Sequence, residues 1–221
     1  MGMVIPPWSY TALSCFENCP KQYYHRYILK EKEPESEQMR HGVLVHRALE
    51  ERVRDGVPIP QAYARFEPLA ARVALTKGAP RVTVEVEKPF GVDETLAVCD
   101  FFSPKVWGRG KVDVVICKEN TATILDWKTG KKRDNDSQLK IFAAFIFNAH
   151  PSVEVVYAAN IWLEHGGPGQ RFEYRDSHAL WAEIVRRVNR IVTAAEKEAF
   201  DPKPSGLCAY CPVTSCPHNR R

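Results

Sequence analysis

Two adjacent strand-like runs, KVDVVIC at residues 111–117 and TATILDWK at 121–128, constrain the fold more than any other feature of the sequence. Both are rich in apolar residues, and only a short polar segment separates them. When residues 118–121 are taken as a hairpin loop, Cys117 pairs with Ala122. The spacing therefore predicts an antiparallel hairpin with a fixed register.

Counting back along this register places Asp113 opposite Asp126. Directly opposed residues have Cβ atoms about 4.5–5.5 Å apart, and Lys128 shares the face of Asp126 because side chains alternate along a strand. A solvated sheet face with a surface salt bridge is the simplest explanation of these charges. Two facing acids repel each other, however, and their neighbours are apolar, so a bound divalent cation explains the pair better.

Oxygen ligands of this kind favour Mg²⁺ or Mn²⁺. Such an ion lowers the pKa of a water molecule and neutralises charge that develops on a phosphate. Lys128 can orient that water or stabilise the transition state. Asp113, Asp126 and Lys128 are accordingly predicted to catalyse phosphodiester hydrolysis.

The rest of the chain alternates between helical and extended patterns. An aromatic-rich helical segment (8–30) and a charged loop (30–40) precede two helices (42–54 and 61–76). Strands are predicted at 81–87, 96–102, 110–117 and 121–128, followed by a helix at 137–148, strands at 153–163 and 170–174, and a helix at 177–197. This order predicts an α/β fold with a mixed central sheet flanked by helices.

Composition limits the class of protein. The chain has 221 residues, 44% of them hydrophobic and 26% charged, which is typical of one globular domain of ordinary size. A net charge of +4 permits a nucleic-acid partner without requiring one. No apolar run reaches the roughly 20 residues of a membrane span, and the first residues lack the pattern of a secretory signal. We therefore expect a cytoplasmic protein, of cellular or viral origin, without a membrane partner.

The spacing of the acids and the lysine resembles the PD-(D/E)XK nuclease superfamily, in which an acid lies one strand before a D/E-x-K tripeptide. Asp113 and residues 126–128 (Asp-Trp-Lys) correspond to these elements. The resemblance is closer to the branch that contains the RecB and AddB nuclease domains and the small CRISPR-associated iron–sulfur nucleases. It extends from Cys19 to Cys216 and implies a restriction-endonuclease-like core.

Further elements of that branch have counterparts in this chain. A histidine on an upstream helix corresponds to His46, and the resemblance implies that it binds the metal with the two aspartates and the backbone carbonyl of Trp127. A glutamine on the helix after the lysine corresponds to Gln138, which implies a part in positioning the substrate or Lys128. Family members often have a tyrosine four residues later, where this chain has Phe142, so a role for that phenol is absent.

Glu85 and Glu87 follow the alternation of the strand predicted at 81–87, which puts both on its polar face. Some branches of the superfamily have an early glutamate ligand. The alternation nevertheless favours solvated side chains over additional metal ligands.

Three of the seven cysteines form a C-x₂-C-x₄-C run at Cys208, Cys211 and Cys216. This spacing lets thiolates converge on one metal centre, which then needs a fourth ligand. Cys19, near the other end of the chain, is the preferred donor, and Cys15, one helical turn away, is the alternative.

The chemistry of these residues leaves zinc and an iron–sulfur cluster equally open, and His218 is a further candidate ligand for zinc. The resemblance favours a [4Fe–4S] cluster, because the iron–sulfur nucleases have one cysteine ahead of the nuclease core and three behind it. In that family the first cysteine precedes a proline, as Cys19 does. The cluster would be mainly structural, since it closes a very long loop of chain.

Lys131, Lys132 and Arg133 directly follow the D-x-K strand and are candidates to bind DNA phosphates, although a solvated loop explains them as well. No sequence-reading module is present, which predicts action on DNA structure or ends. The resemblance implies an exonuclease on single-stranded or free-ended DNA in recombination, repair or CRISPR-type processing, with recombination or CRISPR-adaptation proteins as partners. The alternative is a catalytically silent DNA-binding or assembly subunit.

We expect one nuclease domain over residues 1–221. Within it, residues 1–40 contribute one cluster cysteine, 41–200 form the nuclease core and 201–221 form the cysteine-cluster tail.

Overall fold

The computed structural model describes residues 3–133 and 135–220. The helices of this part are α1 (Tyr10–Asn18), α2 (Pro20–Tyr23, continued by a π-helical turn at Tyr24–Ile28), α3 (Glu37–Asp55), α4 (Glu67–Thr76), α5 (Ser137–Ala149) and α6 (Ser177–Glu196). The strands are β1 (Val82–Val92), β2 (Val98–Cys99), β3 (Gly108–Lys118), β4 (Thr121–Lys128), β5 (Val155–Trp162) and β6 (Gly167–Tyr174). Short 3₁₀ turns lie at Gln61–Phe66, Leu163–His165 and Gly206–Tyr210.

These strands form one sheet with the order β2-β1-β3-β4-β5-β6. β3 is antiparallel to both β1 and β4, β5 is parallel to β4, and β6 is antiparallel to β5. A parallel step needs a crossover connection, which α5 supplies. The predicted α/β fold with a mixed central sheet flanked by helices is confirmed.

Helices cover both faces of the sheet, and each face has its own hydrophobic core. On one face, α1, α5 and α6 contribute Leu13, Phe145 and Ile184 to what we call the α5 core. On the other face, α3 and α4 contribute Leu49 and Val73 to the α3 core. None of the helices in the described residues combines the length and apolar character needed to cross a membrane.

β1 and β3 change faces part-way along their length. On β3, Val112 belongs to the α5 core but Val114 belongs to the α3 core. On β1, Phe90 belongs to the α5 core but Val86 packs against the α3 core. Regular alternation would put each of these pairs on one face. On β1 the change coincides with Glu87, which has a positive φ of 51°.

α3 begins earlier than the sequence pattern predicted. It starts at Glu37 instead of near residue 42, because the Ser36 side chain accepts a hydrogen bond from the backbone of Met39 and caps the helix. The additional turn extends α3 along the edge of the site described below.

Candidate active site

The β3–β4 hairpin has the predicted register, with Cys117 paired to Ala122. Regular pairing ends before Asp113, whose Oδ2 accepts a hydrogen bond from the backbone N–H of Trp127 at 2.6 Å. The aspartate side chain thus becomes the partner of that amide. Its carboxylate is buried and fixed at the point where the two strands separate.

Asp126, on β4, is only 2% exposed. Burial, and then repulsion from Asp113, raise the pKa of its carboxyl group to about 7, although Lys128 and His46 oppose the increase. Its Oδ2 forms an ion pair with Lys128 Nζ and, among the described residues, has no other hydrogen-bond partner. A buried acid in this state has unused capacity to bind a cation.

Lys128 links β4 to α5. Its Nζ donates a hydrogen bond of 2.7 Å to Oε1 of Gln138, in addition to its ion pair with Asp126. Gln138 lies in the first turn of α5, in the crossover between the two parallel strands. Two oxygen atoms therefore hold the ammonium group beside the acids.

His46 reaches the site from α3. Its Nδ1 lies 3.3 Å from Asp113 Oδ1 and 3.7 Å from Glu87 Oε1. Burial favours the neutral ring, but the nearby carboxylates of Asp113 and Glu87 outweigh it and raise the pKa of His46 to about 10. The protonated ring thus neutralises part of the negative charge of the two carboxylates. A metal ion bound to the deprotonated ring would take over this role.

Glu87 completes this group, and the expectation that its side chain is solvated was wrong. The side chain is 12% exposed, with Oε1 facing His46 and Oε2 accepting a hydrogen bond of 2.6 Å from Lys111 Nζ. Burial alone would raise the pKa of Glu87, but hydrogen bonds from His46 and Lys111 lower it. The expectation failed because β1 changes face at this residue. Glu85, by contrast, is half-buried and pairs with Lys88.

One ligand atom each from His46, Glu87 and Asp113 lies within 4.8 Å of the other two. No other three histidine, cysteine, aspartate or glutamate side chains of residues 3–133 and 135–220 meet this condition. An imidazole nitrogen and carboxylate oxygens form a donor set that suits Mn²⁺ or Mg²⁺. Asp126, a predicted ligand, is not one of these three; it precedes Trp127, whose amide binds Asp113, and its role as a ligand stays a prediction. The donor chemistry therefore fits a divalent ion.

The four predicted cluster cysteines and His218 line one pocket; the cysteines are Cys19, Cys208, Cys211 and Cys216. Cys15 does not line it and is buried among apolar side chains, which favours Cys19 as the fourth ligand. No three of the pocket's side chains have ligand atoms within 4.8 Å of one another. Tetrahedral zinc with bonds of about 2.3 Å would need sulfur atoms about 3.8 Å apart. As the side chains stand, the cysteines share a pocket but are not clustered around one centre.

Backbone amides point at two of these sulfur atoms. Cys19 Sγ accepts from the Lys203 amide at 3.5 Å, and Cys208 Sγ accepts from the Ser205 amide at 3.4 Å. Burial, together with the charges of the other three cysteines, raises the pKa of Cys211.

Comparison with known proteins identifies the fold family. A family model of the PD-(D/E)XK nuclease superfamily matches residues 7–217. The chain belongs to this superfamily. The crystal structure of a protein named "Putative exonuclease", from Eubacterium rectale, matches this PD-(D/E)XK chain with a TM-score of 0.55 and 12% identity, over 93% of this chain and 86% of that one. The crystal structure of SSO0001 matches with a TM-score of 0.45 and 17% identity, over 97% and 87%. No curated protein is significantly similar to the chain.

In this PD-(D/E)XK protein, the structure brings five of the predicted site residues together: His46, Asp113, Asp126, Lys128 and Gln138. Trp127 contributes its amide to Asp113 and its ring to the α3 core. Its carbonyl oxygen stays a predicted ligand.

The PD-(D/E)XK site opens onto a groove of about 730 Å³ alongside α3. His46 and Glu87 line this groove. Lys131, Lys132 and Arg133 are exposed after β4 but do not line it. Their contact with DNA stays a prediction.

Proposed function

We propose that this PD-(D/E)XK protein is a Mg²⁺- or Mn²⁺-dependent deoxyribonuclease that hydrolyses single-stranded or free-ended DNA. The observation that carries the proposal is the convergence of His46, Glu87 and Asp113 beside the ion pair of Asp126 and Lys128. A bound divalent ion supplies a lowered water pKa and neutralises charge on the phosphate.

The side chains of the site position the reacting groups. Gln138 and Asp126 hold the ammonium group of Lys128, which donates a hydrogen bond to the attacking water or to a phosphate oxygen. The Trp127 amide anchors one oxygen of Asp113, and the other faces His46. Because these contacts exist before substrate binds, little ordering is left for the reaction step.

An exonuclease is the form of this activity that we propose. The sequence has no sequence-reading module, and the name of the Eubacterium rectale protein supports the same activity. The resemblance of the sequence motifs to the branch with RecB, AddB and the CRISPR-associated nucleases supports a role in recombination, repair or CRISPR-type DNA processing. The sequence contains no P-loop, so a partner would supply any unwinding.

We further propose that Cys19, Cys208, Cys211 and Cys216 hold a [4Fe–4S] cluster. Their shared pocket and the amides directed at two of the sulfur atoms support this proposal. The cluster would join the N-terminal segment and the C-terminal tail to the nuclease core within one domain.

A cleavage assay tests the function. Anaerobically purified protein is mixed with end-labelled single-stranded DNA and Mn²⁺, and the wild type is compared with Lys128→Ala and Asp126→Ala. Both variants should lose cleavage by about 100-fold or more, because each removes a group placed for electrostatic stabilisation. Glu85→Ala is the matched control, since this acid lies on β1 outside the site.

Retained cleavage in Lys128→Ala and Asp126→Ala would contradict the proposed site. A wild-type protein that binds DNA of every end structure but never cuts it would instead support the catalytically silent subunit.

A further inference from the structure

α3 presents two exposed apolar side chains to the groove that contains the metal-binding group. Met39 is 51% exposed and Val43 is 64% exposed, and both line the groove together with His46 and Glu87. A solvated helix face beside charged residues is ordinarily polar. These side chains therefore form an apolar wall next to the reacting groups, and we call Met39 and Val43 the α3 wall.

Helix geometry places the α3 wall on the side of His46. With 3.6 residues per turn, Met39 lies about 20° and Val43 about 60° around the helix axis from His46. Leu44 is 52% exposed but lies about 160° away and does not line the groove. Of these three exposed apolar residues of α3, only Met39 and Val43 thus face the groove.

Between the two residues of the α3 wall, the backbone of α3 approaches the end of β4. A Cβ atom at Gly42 would lie 3.3 Å from Oγ1 of Thr129, the residue after Lys128. Further along the same side of α3, the groove is lined by charged residues, including Arg47 and Glu50. The apolar side chains of the groove therefore lie on the N-terminal side of His46, and the charged ones on its C-terminal side.

The chemistry of the substrate indicates what meets this wall. A phosphate at His46, Glu87 and Asp113 brings its attached nucleotides into the same groove. In a duplex the base faces are stacked and covered, so apolar side chains would face sugars and phosphates. In an unpaired strand the base faces are free and bind apolar or aromatic side chains.

We propose that Met39 and Val43 bind the bases of an unpaired DNA strand while the neighbouring phosphate lies beside the metal-binding group. This inference rests on the proposed nuclease function and specifies its substrate. The α3 wall selects single-stranded or frayed DNA because paired bases do not expose the surface that it binds.

Steady-state cleavage of single-stranded DNA tests the α3 wall. The variant Met39→Gln/Val43→Gln keeps good helix formers on α3 but replaces the apolar contacts. Its KM should rise about tenfold, the effect of losing a modest apolar contact area, with kcat almost unchanged. Leu44→Gln is the matched control, because Leu44 has similar exposure on the same helix and faces away from the groove.

An oligonucleotide of the same length with abasic sites in the bound stretch supplies the second readout. The wild type and the double variant should cleave it with the same KM, because it offers no bases to the wall. Binding of both oligonucleotides in EDTA, followed by fluorescence anisotropy, should show the same pattern without any cleavage.

Three results would overturn the proposal that the α3 wall binds bases. They are an unchanged KM in the double variant, an equal increase in KM on the abasic strand, and the same increase in KM in Leu44→Gln. If the wild type binds DNA in EDTA but never cleaves it, the nuclease function fails, while the anisotropy comparison still decides the role of the wall.

Discussion

The carboxylate of Glu87 enters the candidate active site because β1 changes face at this residue, where φ is 51°. One of its oxygens contacts His46 and the other contacts Lys111, and the side chain is largely shielded from solvent. We infer that Glu87 is a metal ligand in addition to those that the sequence suggested.

We expect Glu87→Gln to weaken Mn²⁺ binding by about 10- to 100-fold, the range seen when groups that support a metal site are removed. The loss of one negative charge from the group of three ligands is the physical reason. Isothermal titration calorimetry measures the affinity, with Glu85→Gln on the same strand as the control. Equal affinity in Glu87→Gln and the wild type would exclude this glutamate as a ligand.

The protons held by the site predict a pH dependence of metal stabilisation. The pKa of Asp126 is raised from 3.8 to about 7, so its ionisation costs folding stability as the pH rises towards 7, and a bound cation offsets that cost. The pKa of His46 is raised to about 10, which stabilises the metal-free fold at low and neutral pH and requires a cation to displace a proton. We therefore expect the increase in Tm caused by Mn²⁺ to be larger at pH 8 than at pH 6.

Differential scanning fluorimetry with and without Mn²⁺ measures this difference. Asp126→Asn, which cannot ionise, should show a smaller change between the two pH values. A larger increase in Tm at pH 6 than at pH 8 would contradict the predicted pH dependence of metal stabilisation.

At the scale of elements, the sequence predicted those features that depend on residues close together in the chain. The β3–β4 hairpin register follows from a short loop and is as predicted from Cys117–Ala122 to Val114–Leu125. The predicted direct pairing of Asp113 with Asp126 was wrong, because the ladder ends one residue earlier and Asp113 accepts a hydrogen bond from the Trp127 amide instead. The position of Glu87 depends on which helices cover each half of β1, and alternation within one strand contains no information about that. Aligning the apolar runs of β1 and β3 was the available signal, because it sets Glu87 opposite Asp113.

A predicted strand at residues 96–102 is reduced to Val98–Cys99. The Asp100 side chain accepts a hydrogen bond from the backbone of Phe102, and Ser103 donates its amide to the Asp100 carbonyl. These contacts close a turn. Apolar residues in a turn of this kind imitate a strand in the sequence pattern.

The close contact between Trp8 and β3 supplies a prediction about the packing of elements. Trp8 forms a bridge with Gly108 and stacks on Phe145 of α5, and a Cβ atom at position 108 would overlap its ring. We expect Gly108→Ala to lower the free energy of unfolding by about 1–3 kcal/mol, the usual cost of overpacking. Urea denaturation measures it, with Gly130→Ala as the control, because a Cβ there meets no atom within 4 Å.

At the scale of the whole molecule, segments distant in sequence are joined at the cysteine pocket. Cys19 follows α1, whereas the other three cysteines follow α6. Nearby, Arg187 of α6 donates two hydrogen bonds, of 2.7 and 3.0 Å, to Glu17 of α1. A cluster at the pocket would therefore connect parts of the chain that already contact each other.

We expect Cys19→Ser to lose bound iron and acid-labile sulfide and to have a lower Tm, because the long loop of chain would no longer be closed. Cys99→Ser, on β2, should keep both. Chemical analysis of anaerobically purified protein measures iron, sulfide and zinc. Stoichiometric zinc without sulfide would contradict the [4Fe–4S] proposal.

The hydrogen bond from the Trp127 amide to Asp113 has a consequence for the evolution of this fold. Loss of the Asp113 carboxylate would remove a predicted metal ligand and also leave a buried amide without a partner, so selection for folding alone is enough to retain it. Lys128 is more exposed than the acids and, within residues 3–133 and 135–220, satisfies no buried backbone group. In relatives that have lost the reaction, we expect Lys128 to be substituted before Asp113. A retained Asp113 is therefore evidence of common ancestry, and only a retained Lys128 is evidence of activity.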